Sequence, residues 1–160
     1  MRLMRRLLAL PAAMILAMAA LAQLPVEPHP RQLELLESSD PTLAANKRLV
    51  FDFWRVVMEA HDVDRAPEFL AATYDEHDPN LPNGRDALLR RLGRLAKKPV
   101  APTIPDLALL TAEGDLVVLG FRREIPDLAN EGQTYTTLGF EVFRVADGKI
   151  AAHWSSAVKE

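Results

Sequence analysis

Tyr74-Asp-Glu-His-Asp-Pro-Asn-Leu-Pro-Asn-Gly84 divides the chain into two parts of different period. Ahead of it, apolar residues recur at helical spacing; beyond it, after one more helical stretch, the pattern is that of strands. Pro79 and Pro82 forbid a helix here, and each biases the residue before it toward an extended backbone. His77 and Asp78 are thus held on a stiff, turn-like segment. Pointing inward, they are acid–base candidates. Pointing outward, Asp78 is a loop cap that accepts backbone N–H groups, and His77 is exposed.

On the upstream side, Asp40-Pro41 reads as a helix start, an N-cap oxygen followed by proline at the first helical position. Leu43, Leu49, Val50, Phe53, Trp54, Val57 and Met58 then follow at helical spacing, which predicts a first helix to about Ala60. His61-Asp-Val-Asp64 breaks it, and a short second helix is expected from about Arg65 to Ala72. On the downstream side, Asn83-Gly84 leads into a third helix from Asp86 to about Leu95. One side of it carries Leu88, Leu89, Leu92 and Leu95; the other, with the flanking residues, carries Arg85, Arg90, Arg91, Arg94, Lys97 and Lys98. That basic face reads as a solvated surface or as an anion-binding one. Pro99, Pro102 and Pro105 close the helical part.

From there the sequence predicts strands at 107–111, 116–124, 134–145 and 149 to about 158, with turns at Glu113-Gly-Asp115 and Asp147-Gly148, the latter a strong hairpin signal. Gly120 and Gly139 fall inside strands, where glycine permits the bends of a curved sheet. Three helices followed by an antiparallel meander make an α+β fold. If the sheet curls around the first helix, the result is a cone-shaped roll enclosing a cavity, which is the default ligand site.

The first 40 residues differ in kind. Arg2, Arg5 and Arg6 precede an apolar run from Leu7 to Leu21, and Ala20-Leu-Ala22 is a small-x-small pattern, so residues 1–22 read as a secretory leader cleaved before Gln23. The domain is then expected in the periplasm or outside the cell, with no membrane partner after cleavage. Residues 23–40, with Pro25, Pro28 and Pro30, read as an extended tether with low order at its start, and residues 41–160 as the domain. Removing the leader takes away three arginines and no acids, which moves the formal net charge from −3 to −6. An acidic domain argues against nucleic acid as a partner. The chain has no cysteine, which excludes thiol nucleophiles, cysteine zinc sites and a lipid-modified N-terminal cysteine.

Several motifs in order carry a resemblance: Asn46-Lys-Arg-Leu-Val50, Ala60-His-Asp-Val-Asp64, Tyr74-Asp-Glu-His-Asp-Pro79, Gly84-Arg-Asp-Ala-Leu88, Glu113-Gly-Asp115, Phe143-Arg-Val-Ala-Asp-Gly-Lys-Ile150 and His153-Trp154. Over residues 43–158 the chain resembles the SnoaL-like (polyketide cyclase-like) branch of the nuclear transport factor 2-like superfamily. The resemblance implies the cone, a homodimer formed through the outer sheet face, and a cavity for a small-molecule ligand. By position, Asp78 falls where the ketosteroid isomerases of the superfamily keep a general-base aspartate, Glu141 where they keep a protonated aspartate, and Trp54 where they have an oxyanion-hole tyrosine. In the cyclases the C-terminal motif often reads His-Trp-Asp; here it is His153-Trp154-Ser155, without the carboxylate.

Strand alternation places Glu141, Phe143, His153 and Ser155 on one face, and the resemblance turns that face toward the cavity. Asp78, His77, Glu141 and His153 are the catalytic candidates, and Trp54, Tyr74, Phe121, Phe143 and Ser155 the ligand contacts. Glu141 pairing with Arg122 or Arg144 across the sheet is the competing reading. Proton transfer of isomerase, aldol cyclase or dehydratase type needs no cofactor. No histidine pair has helical ligand spacing and no carboxylate cluster is expected around His153, so no metal is expected. A ligand-binding domain without catalysis is the second functional reading, favoured by Ser155 and Trp54.

Overall fold

The computed structural model describes residues 23–159. The leader expected at 1–22 lies outside the described residues. Among the described residues no helix is long and apolar enough to cross a membrane.

Helix α1 spans Pro41–Phe53. Its N-cap is Asp40, whose carboxylate accepts from the N–H groups of Thr42 (2.7 Å) and Leu43 (3.3 Å). The helix continues through a wider π-helical stretch, Trp54–Glu59, in which the Ala60 N–H reaches back to the Arg55 carbonyl. Such widenings recur at functional sites, and this one sets the direction of Trp54. A 3-10 turn at Val63–Arg65 leads into α2, Ala66–Phe69, and α3 spans Arg85–Leu92.

Five strands follow one sheet: β1 Leu70–Glu76, β2 Leu107–Glu113, β3 Leu116–Pro126, β4 Thr134–Ala146 and β5 Lys149–Ser155. The order is β1-β5-β4-β3-β2, with β1 parallel to β5 and every other pair antiparallel. The expected meander of four is present, but the sheet is mixed, with a fifth strand. The expected helix from Arg65 to Ala72 stops at Phe69, and the chain turns into β1 instead. Leu70-Ala-Ala-Thr73 has weak strand propensity of its own; pairing with the edge of β5 supplies what the local sequence lacks. The pairing is irregular between Leu70 and Asp75 and regular at Asp75–Ala152 and Glu76–His153.

The helices cover one face of the sheet. Phe53 packs on Phe69 (ring centroids 6.2 Å) and on Phe143 (5.9 Å), while Trp54 packs on Phe121 (4.6 Å) and Phe143 (6.1 Å). Val117, Leu119, Phe121 and Phe143 are the buried sheet residues beneath them. Gly120 faces the other way: a Cβ there would lie 2.6 Å from Leu109 Cγ, so the glycine allows close packing of β2 on β3.

The segment read as a loose tether is tied to the body. The Val26 N–H donates to Thr136 Oγ1 (2.6 Å), and the His29 N–H donates to the Leu107 carbonyl (2.8 Å). Buried Gln32 makes a reciprocal pair with the backbone of Ile104: its Nε2 donates to the carbonyl and its Oε1 accepts from the N–H, each at 2.8 Å. Gln32→Leu leaves both Ile104 groups buried without partners, and is expected to lower stability by about 2–4 kcal/mol in urea unfolding.

Candidate functional site

Four cross-strand neighbours form a row over the concave face: Glu76 on β1 faces His153 on β5, His153 faces Phe143 on β4, and Phe143 faces Val117 on β3. The His153 ring stacks on Phe143 with centroids 4.6 Å apart and 21° between planes, which restrains the direction of the imidazole. Its two nitrogens then point along the sheet to two carboxylates. Nδ1 lies 2.7 Å from Glu76 Oε1, and Nε2 lies 2.9 Å from Glu141 Oε2, the diagonal neighbour on β4. All three side chains are buried.

Burial opposes a charge on His153, but the hydrogen bonds to Glu141 and Glu76 outweigh it, and the imidazole is pushed up to about 9. It is therefore an imidazolium at neutral pH, donating from both nitrogens. Burial likewise works against the Glu76 carboxylate, yet the bonds from His153 and Tyr74 hold it below the ordinary carboxylate range. Tyr74 donates its hydroxyl to Glu76 Oε2 at 2.7 Å. Burial first, and that bond second, keep the phenol protonated far above its usual range.

The two carboxylates are not equivalent. Glu76 accepts from His153, from the Tyr74 hydroxyl and from the Asp78 N–H (2.9 Å), so most of its acceptor positions are filled. Glu141 accepts from His153 and, at a long 3.4 Å, from Arg123. Arg123 is about half exposed, lies over the Phe121 ring, and is seated against Gly139, where a Cβ would come within 2.8 Å of its Nε. The partner of Glu141 is thus Arg123, not Arg122 or Arg144: strand parity puts Arg123 on the concave face with Phe121. Arg122 instead pairs with Glu124 at 2.8 Å.

Above this row lies a cavity of about 260 Å³, walled by Phe53, Trp54, Leu88, Leu92 and Phe143, with Tyr74, Glu76, Asp78, Glu141 and His153 as its polar lining. Its volume is that of about nine water molecules at ~30 Å³ each.

Of the sequence candidates, the structure brings Asp78, Glu141, His153, Trp54, Tyr74 and Phe143 to one cavity. His77 is elsewhere. β1 runs on to Glu76, so the next side chain falls on the opposite face, where the His77 ring stacks on Trp154 (4.9 Å, 3° between planes). Asp78 is inward but also a loop cap, its Oδ1 accepting from the Asn80 N–H at 2.7 Å. Trp54 turns its indole N–H to Glu59 Oε1 (3.2 Å), which takes that donor away from an oxyanion role. Phe121 backs Trp54 instead of lining the cavity. Ser155 lies on a neighbouring groove shared with Arg123, Glu141 and Asp78, and its Oγ accepts from the Ala157 N–H.

Glu76 is the residue that sequence reasoning missed. Once 70–76 is a strand, Tyr74 and Glu76, both buried, share the face opposite to Asp75 and His77, and that alternation over 74–77 was the signal available. Among the described residues no cluster is arranged to hold a metal ion. In the triad itself, both imidazole nitrogens are already engaged with carboxylates.

A model of the SnoaL-like domain family matches residues 50–153. Among solved structures, a protein from Acidithiobacillus ferrooxidans named as a polyketide cyclase is 21% identical, covering 74% of this chain and 89% of that one with a TM-score of 0.50. A Jannaschia protein named as a SnoaL-like polyketide cyclase is 18% identical (75% and 91% covered, TM-score 0.48). An M. tuberculosis LEH-like epoxide hydrolase is also 18% identical (72% and 84% covered, TM-score 0.48). No curated protein matches the chain.

The triad sets a pH window for stability. His153 binds its proton more tightly folded than unfolded, so its contribution is complete below about 6.5 and is lost as pH rises through about 9. Glu76 has the opposite sign: its contribution is present above 4.5 and is lost as pH falls below that. The melting temperature should therefore decline between pH 7 and 10 by differential scanning fluorimetry. Glu141→Gln, which removes one of the two charges raising His153, should move that decline to lower pH.

Proposed function

Because this chain belongs to the SnoaL-like domain family, we propose that it takes a small apolar compound bearing a carbonyl or hydroxyl group into the cone cavity and moves a proton on it without a cofactor. The observation that carries this reading is Glu141. It is a carboxylate within apolar walls, fixed in direction by the His153 imidazolium, with acceptor capacity left over because Arg123 holds it only at long range. Its position is set before the ligand arrives.

In this mechanism Glu141 takes a proton from carbon beside the ligand carbonyl. The His153 imidazolium and Glu76 remain as a neutral pair beneath it, so the charge that Glu141 gives up leaves no unpaired ion in the wall. Return of the proton to another carbon isomerises the ligand; its delivery to a hydroxyl dehydrates it; capture of the enolate by a second carbonyl closes a ring. Asp78, on the same cavity, is the second carboxylate within reach of the ligand.

Binding without catalysis is the second reading. It is supported by the saturation of the triad: both His153 nitrogens and three Glu76 acceptor positions are used inside the protein, and the Trp54 donor is turned away. Deuterium exchange separates the two. Apolar ketones that raise the melting temperature are incubated in D2O and their α-protons followed by NMR. Proton transfer predicts exchange that falls by about 100-fold or more in Glu141→Gln while the thermal shift persists. Binding ketones that show no exchange above buffer would sink catalysis and leave the binding reading.

Two expectations accompany the proposal. Action in the periplasm or outside the cell is supported by the charged and apolar pattern of residues 1–22. A homodimer through the convex sheet face is supported by Phe140 and Trp154, which stand there at 40% and 37% exposure. Light scattering at micromolar concentration is expected to give twice the chain mass, and Trp154→Glu to return it to one; a monomeric mass for the unaltered protein would count against the dimer.

A further inference from the structure

The polar lining of the cavity separates by exposure, and its one arginine lies at the exposed end. The floor holds Glu76, Glu141 and His153, all buried and carrying one negative charge in sum when His153 is an imidazolium. The outer lining holds Arg91, His61, the half-exposed Leu95 and the half-buried Asp78, whose Oδ1 is engaged by the Asn80 N–H. Between the two lie apolar side chains, Phe53, Trp54, Leu88 and Leu92. A cavity of this kind has an acid-lined inner end, an apolar middle and a mouth at which Arg91 is the one permanent cation.

Arg91 is held at that mouth by α3, whose Leu88 and Leu92 turn inward beside it. Among the described residues Arg91 forms no ion pair and no side-chain hydrogen bond, whereas nearby Lys97 is taken by Asp62 at 2.8 Å. Arg91 therefore brings five free N–H donors and a permanent charge to the edge of an apolar space. His61 is fixed in the same lining. Its backbone is left-handed (φ 58°), and its Nδ1–H donates to the Ala96 carbonyl at 2.9 Å, which leaves Nε2 for a ligand.

We propose that the ligand is a small apolar acid whose carboxylate sits at the mouth against Arg91 and His61, with its carbonyl or hydroxyl end facing Glu141. This rests on the cavity being the ligand site, as argued above, and adds the ligand's charge and direction. One guanidinium matches one carboxylate in charge and in planar geometry. A carboxylate at the inner end would instead meet Glu141 and Glu76, so the anion is driven outward and the ligand has one orientation. The basic face of α3, with Arg90 and Arg94, steers the anion to the mouth without touching it.

The test uses 3-phenylpropanoate and the uncharged 3-phenylpropanamide as probes, with Kd read by titration calorimetry in full-length protein. The expected result is a preference for the carboxylate of about fivefold, the size of a partly exposed ion pair. In Arg91→Gln the preference should vanish while the amide Kd stays unchanged. Arg94→Gln, which removes the same charge from a position outside the cavity, should keep it. Equal binding of both probes to the unaltered protein, retention of the preference in Arg91→Gln, or equal loss in Arg94→Gln would each overturn the proposal and leave the cavity reading standing. Failure of both probes to bind would overturn both.

Discussion

A positive charge is buried on the concave face of this sheet, and much of the local architecture answers to it. An imidazolium removed from water costs several kcal/mol unless its hydrogen atoms meet acceptors of opposite charge. His153 meets two, at 2.7 and 2.9 Å, contributed by strands on either side of its own. Glu76 can reach it only because β1 lies parallel along β5 in the register that sets Glu76 opposite His153. Glu141 reaches it as the diagonal neighbour across the antiparallel pair. Loss of either carboxylate leaves one imidazolium N–H without its acceptor in a wall that has little water to replace it. The charged triad and the pairing of the first strand therefore depend on one another: the strand delivers the acid, and the acid gives a weak strand a reason to dock.

The order of filling within the triad explains why one end is chemically quiet and the other is not. Glu76 is surrounded by donors from its own strand and from the turn that follows it, Tyr74 on one oxygen and the Asp78 N–H on the other. It serves as the counter-ion that keeps His153 charged. Glu141 has one short bond, to that same imidazolium, and a long one to an arginine seated on a glycine. Carboxylate reactivity scales with what is left unsatisfied, and here that is Glu141.

Much of the fold was legible because its signals are local. Asp40-Pro41 starts the first helix with both capping bonds in place, Asp147-Gly148 closes the last hairpin with both residues at positive φ, and three of the four expected strands match to within two residues at each end. Period two puts Glu141 and Phe143 on one face, and the resemblance turns that face, with His153, toward the cavity. What was not legible depended on a partner. Leu70-Ala-Ala-Thr73 reads as the end of a helix until β5 is beside it, and that misreading hid Glu76 and turned His77 the wrong way. The tether illustrates the same limit: nothing in its prolines announces that Gln32 will close a two-way pair with Ile104, 72 residues away. Trp54 was placed correctly on the cavity, but its donor direction is set by the π-helical widening, which period 3.6 cannot anticipate.

Ser155 sharpens the chemical question. The cyclases that the chain resembles often carry a carboxylate at this position, and here a hydroxyl stands there, on the groove beyond Glu141 and bonded to its own backbone. A carboxylate at Ser155 would lie directly across from Glu141, its cross-strand partner, and two like charges at that separation repel. The sequence has in effect one acid in this row and a second, Glu76, two strands further on in the next row, with the imidazolium between them. Moving the second acid from β5 to β1 changes what His153 can do. An imidazole flanked on one side only is free to exchange protons with a ligand; one flanked on both sides is held as a cation. In the proton-transfer reading proposed above, the accepting role then passes from the histidine to Glu141, and the histidine becomes the fixed charge that orients it.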